Sequence, residues 1–287
     1  MLFYRCLSLL PFPALYALAW LGYIALYYVA GYRKAVVREN LQQAFPDKSA
    51  TEVTVLAKKF YRQLAQVALE VVKARRMTQA QFRQRVKVLN PELVHASSDG
   101  LRRSVIILTI HQGNWEWMLH AVGANLGVPL DPVYKPLHSA TSNQLMQEVR
   151  SRFGSRPLPL ANATRDILRR RREFRLLVMV ADQSPIRRER SYWTQFMHRE
   201  AAFYLGAETI ANATGYPVLF AQCHRRRRGY YEVEFHTLPN SPDPTKGHEL
   251  TQAYVEMAER AIRSEPESWL WSNRRWKRRR CDDQPED

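Results

Sequence analysis

The sequence predicts an α/β fold: a central, mostly parallel mixed sheet flanked by helices, with an N-terminal membrane-anchoring helix ahead of it. Three observations carry this expectation. Short β-branched runs alternate along the chain with longer stretches of helical periodicity, as happens when strands and helices are layered about one sheet. One run, SVIILTI at 104–110, lacks the polar alternation of a half-exposed strand and reads as a strand covered on both faces. No charged residue occurs from Cys6 to Tyr32.

The apolar stretch comes first. It exceeds the roughly 20 residues that a helix needs to cross a bilayer core. Pro11 and Pro13 put the start of its regular helix near them, and its Tyr and Trp residues suit a membrane interface. Arg5 precedes it, and Arg33, Lys34 and Arg38 follow, which sets the main domain on the cytoplasmic side. A cleaved signal peptide is the rival reading, but the run is long for one and Arg5 alone supplies its positive n-region. Spanning the bilayer and dipping into one leaflet both fit. The anchor is assigned to 1–34, the main domain to 35–277 and a charged tail to 278–287.

Ser49-Ala-Thr-Glu52 is a capping box, and Val53, Leu56, Phe60, Leu64, Val67 and Val71 then mark one face of a helix. After the strand at 104–110, Trp115, Met118, Leu119, Val122 and Leu126 recur at helical spacing. Further strands are expected at 131–134, 175–180, 217–222 and 230–236, the last alternating as an edge or antiparallel strand does. Helices are expected at 140–152, 162–173, 204–214 and 248–264.

The composition narrows the function classes. A chain of 287 residues with 46% hydrophobic and 11% aromatic content is not a disordered one. Its 43 basic against 27 acidic residues give a net charge of +16, which favours anionic partners such as nucleic acid, an anionic membrane surface or an acidic protein. A membrane-tethered nucleic-acid binder is the alternative this charge raises, but no nucleic-acid-binding module is recognisable. Cys6, Cys223 and Cys281 have no CxxC spacing, and the remaining histidines (95, 120, 138, 198, 224, 236 and 248) have no metal-ligand spacing, so neither a disulfide framework nor a metal is expected.

The chemistry concentrates in His111-Gln-Gly-Asn-Trp-Glu116. A strand ends at His111, the chain turns through Gly113 and a helix begins, and ligand crevices of open α/β sheets lie at such carboxyl ends. With a turn between them, His111 and Glu116 can converge. A neutral imidazole can take a proton from an alcohol, and a carboxylate on its other nitrogen fixes the tautomer and balances the imidazolium. Backbone amides of the turn are the expected oxyanion donors. No GxSxG elbow is present. An isolated HxxxxE is more often structural; its position at a strand end is what raises it.

With its surroundings, HQGNWE resembles the His-x4-Asp/Glu motif of the lysophospholipid acyltransferase superfamily, and within it the bacterial lipid A biosynthesis acyltransferases. YRKAVVRENLQQAFPDKS, VYKP at 133–136, ADQSP at 181–185, FYLGAETIANATGYPV at 203–218 and WLWSNRRWK at 269–277 resemble further blocks of that family in the same order. The resemblance implies transfer of an acyl group from acyl carrier protein, or coenzyme A, to a hydroxyl of a membrane lipid acceptor, at the bacterial inner membrane and without a cofactor. It makes His111 the base and Glu116 its carboxylate, with Asn114 and Trp115 shaping the site. Lys135 stands where an Arg is common, Phe196-Met-His198 replaces a Phe-Phe-Gly-like run, and Asn273 replaces a His. These departures bear on the acceptor: lipid A precursor, or instead a glycerophospholipid, aminolipid, glycolipid or aryl polyene lipid.

Other residues have two readings each. Asp182 and Gln183 follow the strand at 175–180 and so border the crevice, or else serve a cap or turn. Glu208 contacts the acceptor, or is an ordinary first-turn charge. Lys135, Arg150 and Arg152 bind phosphates, or are solvated helix charges. The runs Arg169–Arg172, Arg225–Arg228 and Lys277–Arg280 meet anionic lipid or dock acyl carrier protein, or form solvated faces.

Overall fold

The computed structural model describes residues 2–137, 139–186, 190–239 and 247–280; His138 and the tail 281–287, with Cys281, lie outside the described residues. The N-terminal part is helical: α1 (Leu2–Leu9), α2 (Phe12–Ile24, running into a π-turn at Ala25–Val29), α3 (Lys34–Ala44), α4 (Ala50–Ala74) and α5 (Gln79–Arg85). Then come β1 (Val86–Val88), α6 (Pro91–Ser97), β2 (Val105–Thr109), α7 (Trp115–Leu126), β3 (Leu130–Tyr134), α8 (Ala140–Arg150), β4 (Leu158–Pro159), α9 (Leu160–Arg169) and β5 (Leu176–Val180). The chain continues through β6 (Ser191–Phe196), β7 (Arg199–Tyr204), α10 (Gly206–Thr214), β8 (Val218–Arg227), β9 (Tyr230–Thr237) and α11 (Glu249–Ser264).

Seven strands form one sheet in the order β1-β9-β8-β2-β5-β3-β4, in which only the β8–β9 pair is antiparallel. This is the mostly parallel mixed sheet that the alternation of elements predicted. Successive side chains of a strand point to opposite faces. Along β2, Ile106 and Leu108 therefore enter the core shared with α4 and α11, and Val105 and Ile107 the core shared with α5 and α7. Both faces are covered, which is why the strand is apolar at every position.

The capping box at Ser49 and Glu52 is formed as read, and α4 buries Val53, Leu56, Phe60 and Val67. Helix α2 lies along α4: Leu15, Tyr16, Ala19, Tyr23 and Tyr27 are buried, whereas Leu18, Trp20, Leu21 and Val29 are exposed. Among the described residues, one helix, Phe12–Val29, is long and apolar enough to cross a membrane.

The hairpin β6–β7 has no counterpart among the expected strands. Phe196 pairs with Arg199, so Met197 and His198 make a two-residue turn, and both have positive φ. Such turns ordinarily advertise themselves by Asn-Gly or Gly. Here a buried Met197, whose N–H donates to Glu259, holds the turn instead. The stretches β1 and β4 are too short to show a period.

Candidate active site

Strands β2 and β5 run parallel with Thr109 beside Val180. Two residues beyond that pair stand His111 and Asp182. The carboxylate takes two hydrogen bonds from one residue: the His111 backbone N–H donates to Oδ2 at 3.0 Å, and Nδ1 lies 2.6 Å from Oδ1. Trp269 Nε1 donates to the same Oδ2 at 2.7 Å. Burial works to raise the Asp182 carboxyl, but the His111 charge and these donors outweigh it and hold the group below its ordinary range. A neutral imidazole with its proton on Nδ1, facing the carboxylate, would have its lone pair on Nε2. The Gln183 side-chain amide lies 3.2 Å from that nitrogen, and the ring is partly exposed.

The partner of His111 is thus Asp182, not Glu116, and this corrects the expected pairing. Glu116 sits in the first turn of α7 and is buried. Both of its oxygens accept from Arg150, at 3.0 Å from Nε and through a second, shorter bond from Nη2. Burial again works to raise the carboxyl, and the Arg150 guanidinium overrides it to hold the group low. The physical reason for the change of partner is reach. A side chain in the first helical turn is carried sideways toward α8, whereas Asp182 arrives on the neighbouring strand at the level of His111. Glu116 still touches the site through Trp115, whose Nε1 donates to Oε1 at 3.1 Å and whose ring stands edge-on to His111 at 5.0 Å between centroids.

Asn114 caps α7: its side-chain oxygen accepts from Trp117 N–H at 2.9 Å, and its amide donates to Glu70 Oε2 at 2.9 Å. Glu70 is a buried node that no sequence signal singled out. It also accepts from Tyr16 (2.9 Å) and Tyr231 (2.6 Å), so it ties α2 and β9 to the start of α7. Burial raises its carboxyl, against these donors.

The turn amides expected to meet an oxyanion are occupied. His111 N–H goes to Asp182, Gln112 N–H to Ile110 O and Gly113 N–H to Ser268 O. Gly113 has φ +60°, and a Cβ there would lie 2.6 Å from the Cys223 carbonyl oxygen, so only glycine fits. The C-terminal block closes the site from the other side, because Leu270 N–H donates to His111 O and Gln112 bridges Trp269. Trp269 was legible only as part of a family block. Beneath it lies Arg275, fully buried, stacked on Phe203 at 4.1 Å and donating to Ala202 O. Burial lowers its guanidinium to about 10, and the Asp182 charge opposes that.

The remaining candidates separate. Arg152 donates to the Ala74 carbonyl and stacks on Phe153, which is a packing role. Glu208 accepts from His248 Nδ1 (2.8 Å) and from Thr251 N–H (3.0 Å) at the start of α11, so its carboxylate is spent on capping that helix. Lys135 is exposed just beyond β3. Within Arg169–Arg172, Arg170 belongs to an ion-pair network with Asp166 and Glu173. Arg278 is clasped to Ser191, and Arg280 to Glu200.

The geometry is that of an oriented imidazole at the carboxyl end of a parallel sheet, with a second, arginine-paired carboxylate one aromatic ring away. The model of the family described as bacterial lipid A biosynthesis acyltransferase matches residues 1–278. No protein of curated function matches the chain.

Proposed function

The chain belongs to the bacterial lipid A biosynthesis acyltransferase family and is an acyltransferase; from that premise we propose that it passes a fatty acyl group from an acyl carrier protein thioester to a hydroxyl of a lipid A precursor. The observation that carries the mechanism is the 2.6 Å contact between His111 Nδ1 and Asp182. His111 Nε2 takes the proton of the acceptor hydroxyl as the oxygen attacks the thioester carbonyl. Asp182 holds the tautomer and balances the imidazolium. The thiolate leaves and takes up a proton, so no acyl-enzyme forms. Gln183, now donating to Nε2, supplies a hydrogen bond to the oxygen that accumulates charge. Glu116 acts at one remove: it fixes Trp115 against the imidazole and adds a second negative charge that His111 feels.

The membrane reading is an interfacial one. Helix α2 packs along α4 from Leu15 to Tyr27, which supports a helix held against the domain over one that crosses a bilayer alone. Its outward residues Leu18, Trp20, Leu21 and Val29 suit the acyl boundary of one leaflet. We place the chain on the cytoplasmic side of the inner membrane, with acyl carrier protein steered by exposed cations such as Arg171 and Arg172.

The test is turnover by purified protein given acyl carrier protein thioesters and a lipid A precursor. His111→Ala is expected to abolish transfer while keeping the fold; wild-type turnover in that variant sinks the mechanism. The departures at Lys135 and Asn273 favour a second reading, the same reaction on another lipid. Intact-lipid mass spectrometry of a deletion strain separates the two, because lipid A short of one acyl chain supports the first and unchanged lipid A with another lipid missing supports the second.

A further inference from the structure

Between α4 and the β8–β9 turn the surface opens into a cavity of about 340 Å³. Helix α4 contributes Lys59, Arg62 and Gln63, and the strand end contributes Arg225, Arg227 and Arg228. Strict alternation would put Arg227 and Arg228 on opposite faces. Arg228, however, stands in the turn beyond the end of β8, where alternation no longer applies, and all three arginines line the cavity. Five cations thus face one lining carboxylate, Glu267. Like charges gathered this way repel, and an entering anion removes the repulsion.

Two further features define the anion. Gln63 Oε1 and Arg225 Nε are buried without a hydrogen-bond partner. The arginine offers a donor to an oxyanion, whereas the glutamine oxygen asks for a donor, such as a hydroxyl beside the charge. The cavity also adjoins the apolar helix: Arg62 lies over the Tyr23 ring at 5.5 Å and Arg228 over the Tyr16 ring at 4.6 Å, both on α2. It therefore sits where a lipid headgroup would. Glu267, on its rim, is two residues from Trp269, which holds Asp182.

We propose that this cavity binds the phosphate of a membrane lipid whose headgroup is a phosphorylated sugar or polyol, with the phosphate among Arg62, Arg225 and Arg227 and a neighbouring hydroxyl on Gln63. Taking that lipid to be the acyl acceptor rests on the proposed function; the binding site itself does not.

The test titrates the full-length protein, in neutral detergent micelles, with short-chain phosphatidylinositol monophosphate, short-chain phosphatidic acid or inorganic phosphate. The phosphoinositide is expected to bind most tightly. Arg62→Gln with Arg227→Gln should weaken it roughly tenfold or more, while the charge-matched pair Arg171→Gln with Arg172→Gln, near the opposite end of β8 where Tyr216 donates to Arg171 O, should not. Gln63→Leu should erase the preference over phosphatidic acid. Equal losses in the two charge pairs, or inorganic phosphate binding as tightly as the lipid, would overturn the proposal. Binding as expected in a protein that transfers no acyl group keeps this site and removes the proposed function; transfer without such binding does the reverse.

Discussion

Asp182 follows β5 by the same two residues by which His111 follows β2, and because those strands pair Thr109 with Val180 the carboxylate and the imidazole arrive side by side. The partner that orients the imidazole is therefore supplied by strand register. Its hydrogen bond to the His111 backbone fixes the position as well as the tautomer.

Replacing Asp182 by Asn removes the negative charge from Nδ1 and lets the ring adopt the other tautomer. Transfer is expected to fall about 10²–10⁴-fold in kcat with little change in the KM for the acceptor. Steady-state kinetics on Asp182→Asn check this, and a wild-type kcat would transfer the orienting role elsewhere.

Arg150→Ala leaves Glu116 buried without its counter-charge. Removal of one partner of such a pair costs about 3–5 kcal/mol, read from the denaturant midpoint. Adding Glu116→Gln to Arg150→Ala should restore part of the loss, since no buried charge then remains unpaired. No recovery in the double variant would show that the arginine acts by packing alone.

Acid should destabilise the fold through these same carboxylates. Asp182 and Glu116 are both held below their ordinary values in the folded protein. Their contribution is complete above the unfolded values of about 3.9 and 4.3 and is lost as pH falls through the lower folded values. Thermal melts from pH 7 downward should show stability dropping below about pH 4, less steeply in Glu116→Gln than in the wild type. An identical slope in the variant contradicts the assignment.

Glu70→Ala would strand three side-chain donors, from Tyr16, Tyr231 and Asn114. Each stranded group costs about 1–3 kcal/mol, so a large fall in Tm is expected. Hydrogen exchange should rise first at the start of α7, which Asn114 caps. Glu70→Gln, which keeps two acceptor lone pairs, should lie near the wild type. Unchanged protection at α7 in Glu70→Ala would separate this node from the motif helix.

The sheet was legible where burial stamped a period on the residues. SVIILTI, RLLVMV and the alternating run at 230–236 each became a strand within a residue or two of the expected ends. The hairpin β6–β7 was not, because Met197 and His198 take a conformation that ordinarily requires glycine or asparagine, and tertiary packing enforces it. Within the site, His111 was legible from its place at a strand end, and Asn114 as part of its motif. Glu208 misled because a first-turn carboxylate looks alike whether it meets a ligand or caps another helix.

The sequence by itself determined the fold class, the apolar helix ahead of the domain and the location of the imidazole at a strand end, all of which follow from local periodicity and composition. Only the tertiary structure decided that Asp182 orients His111, that Arg150 claims Glu116 and that Trp269 closes the site. Those contacts join residues 34 to 87 positions apart. They depend on parallel register and helix packing, in which distance along the chain carries no information about distance in space.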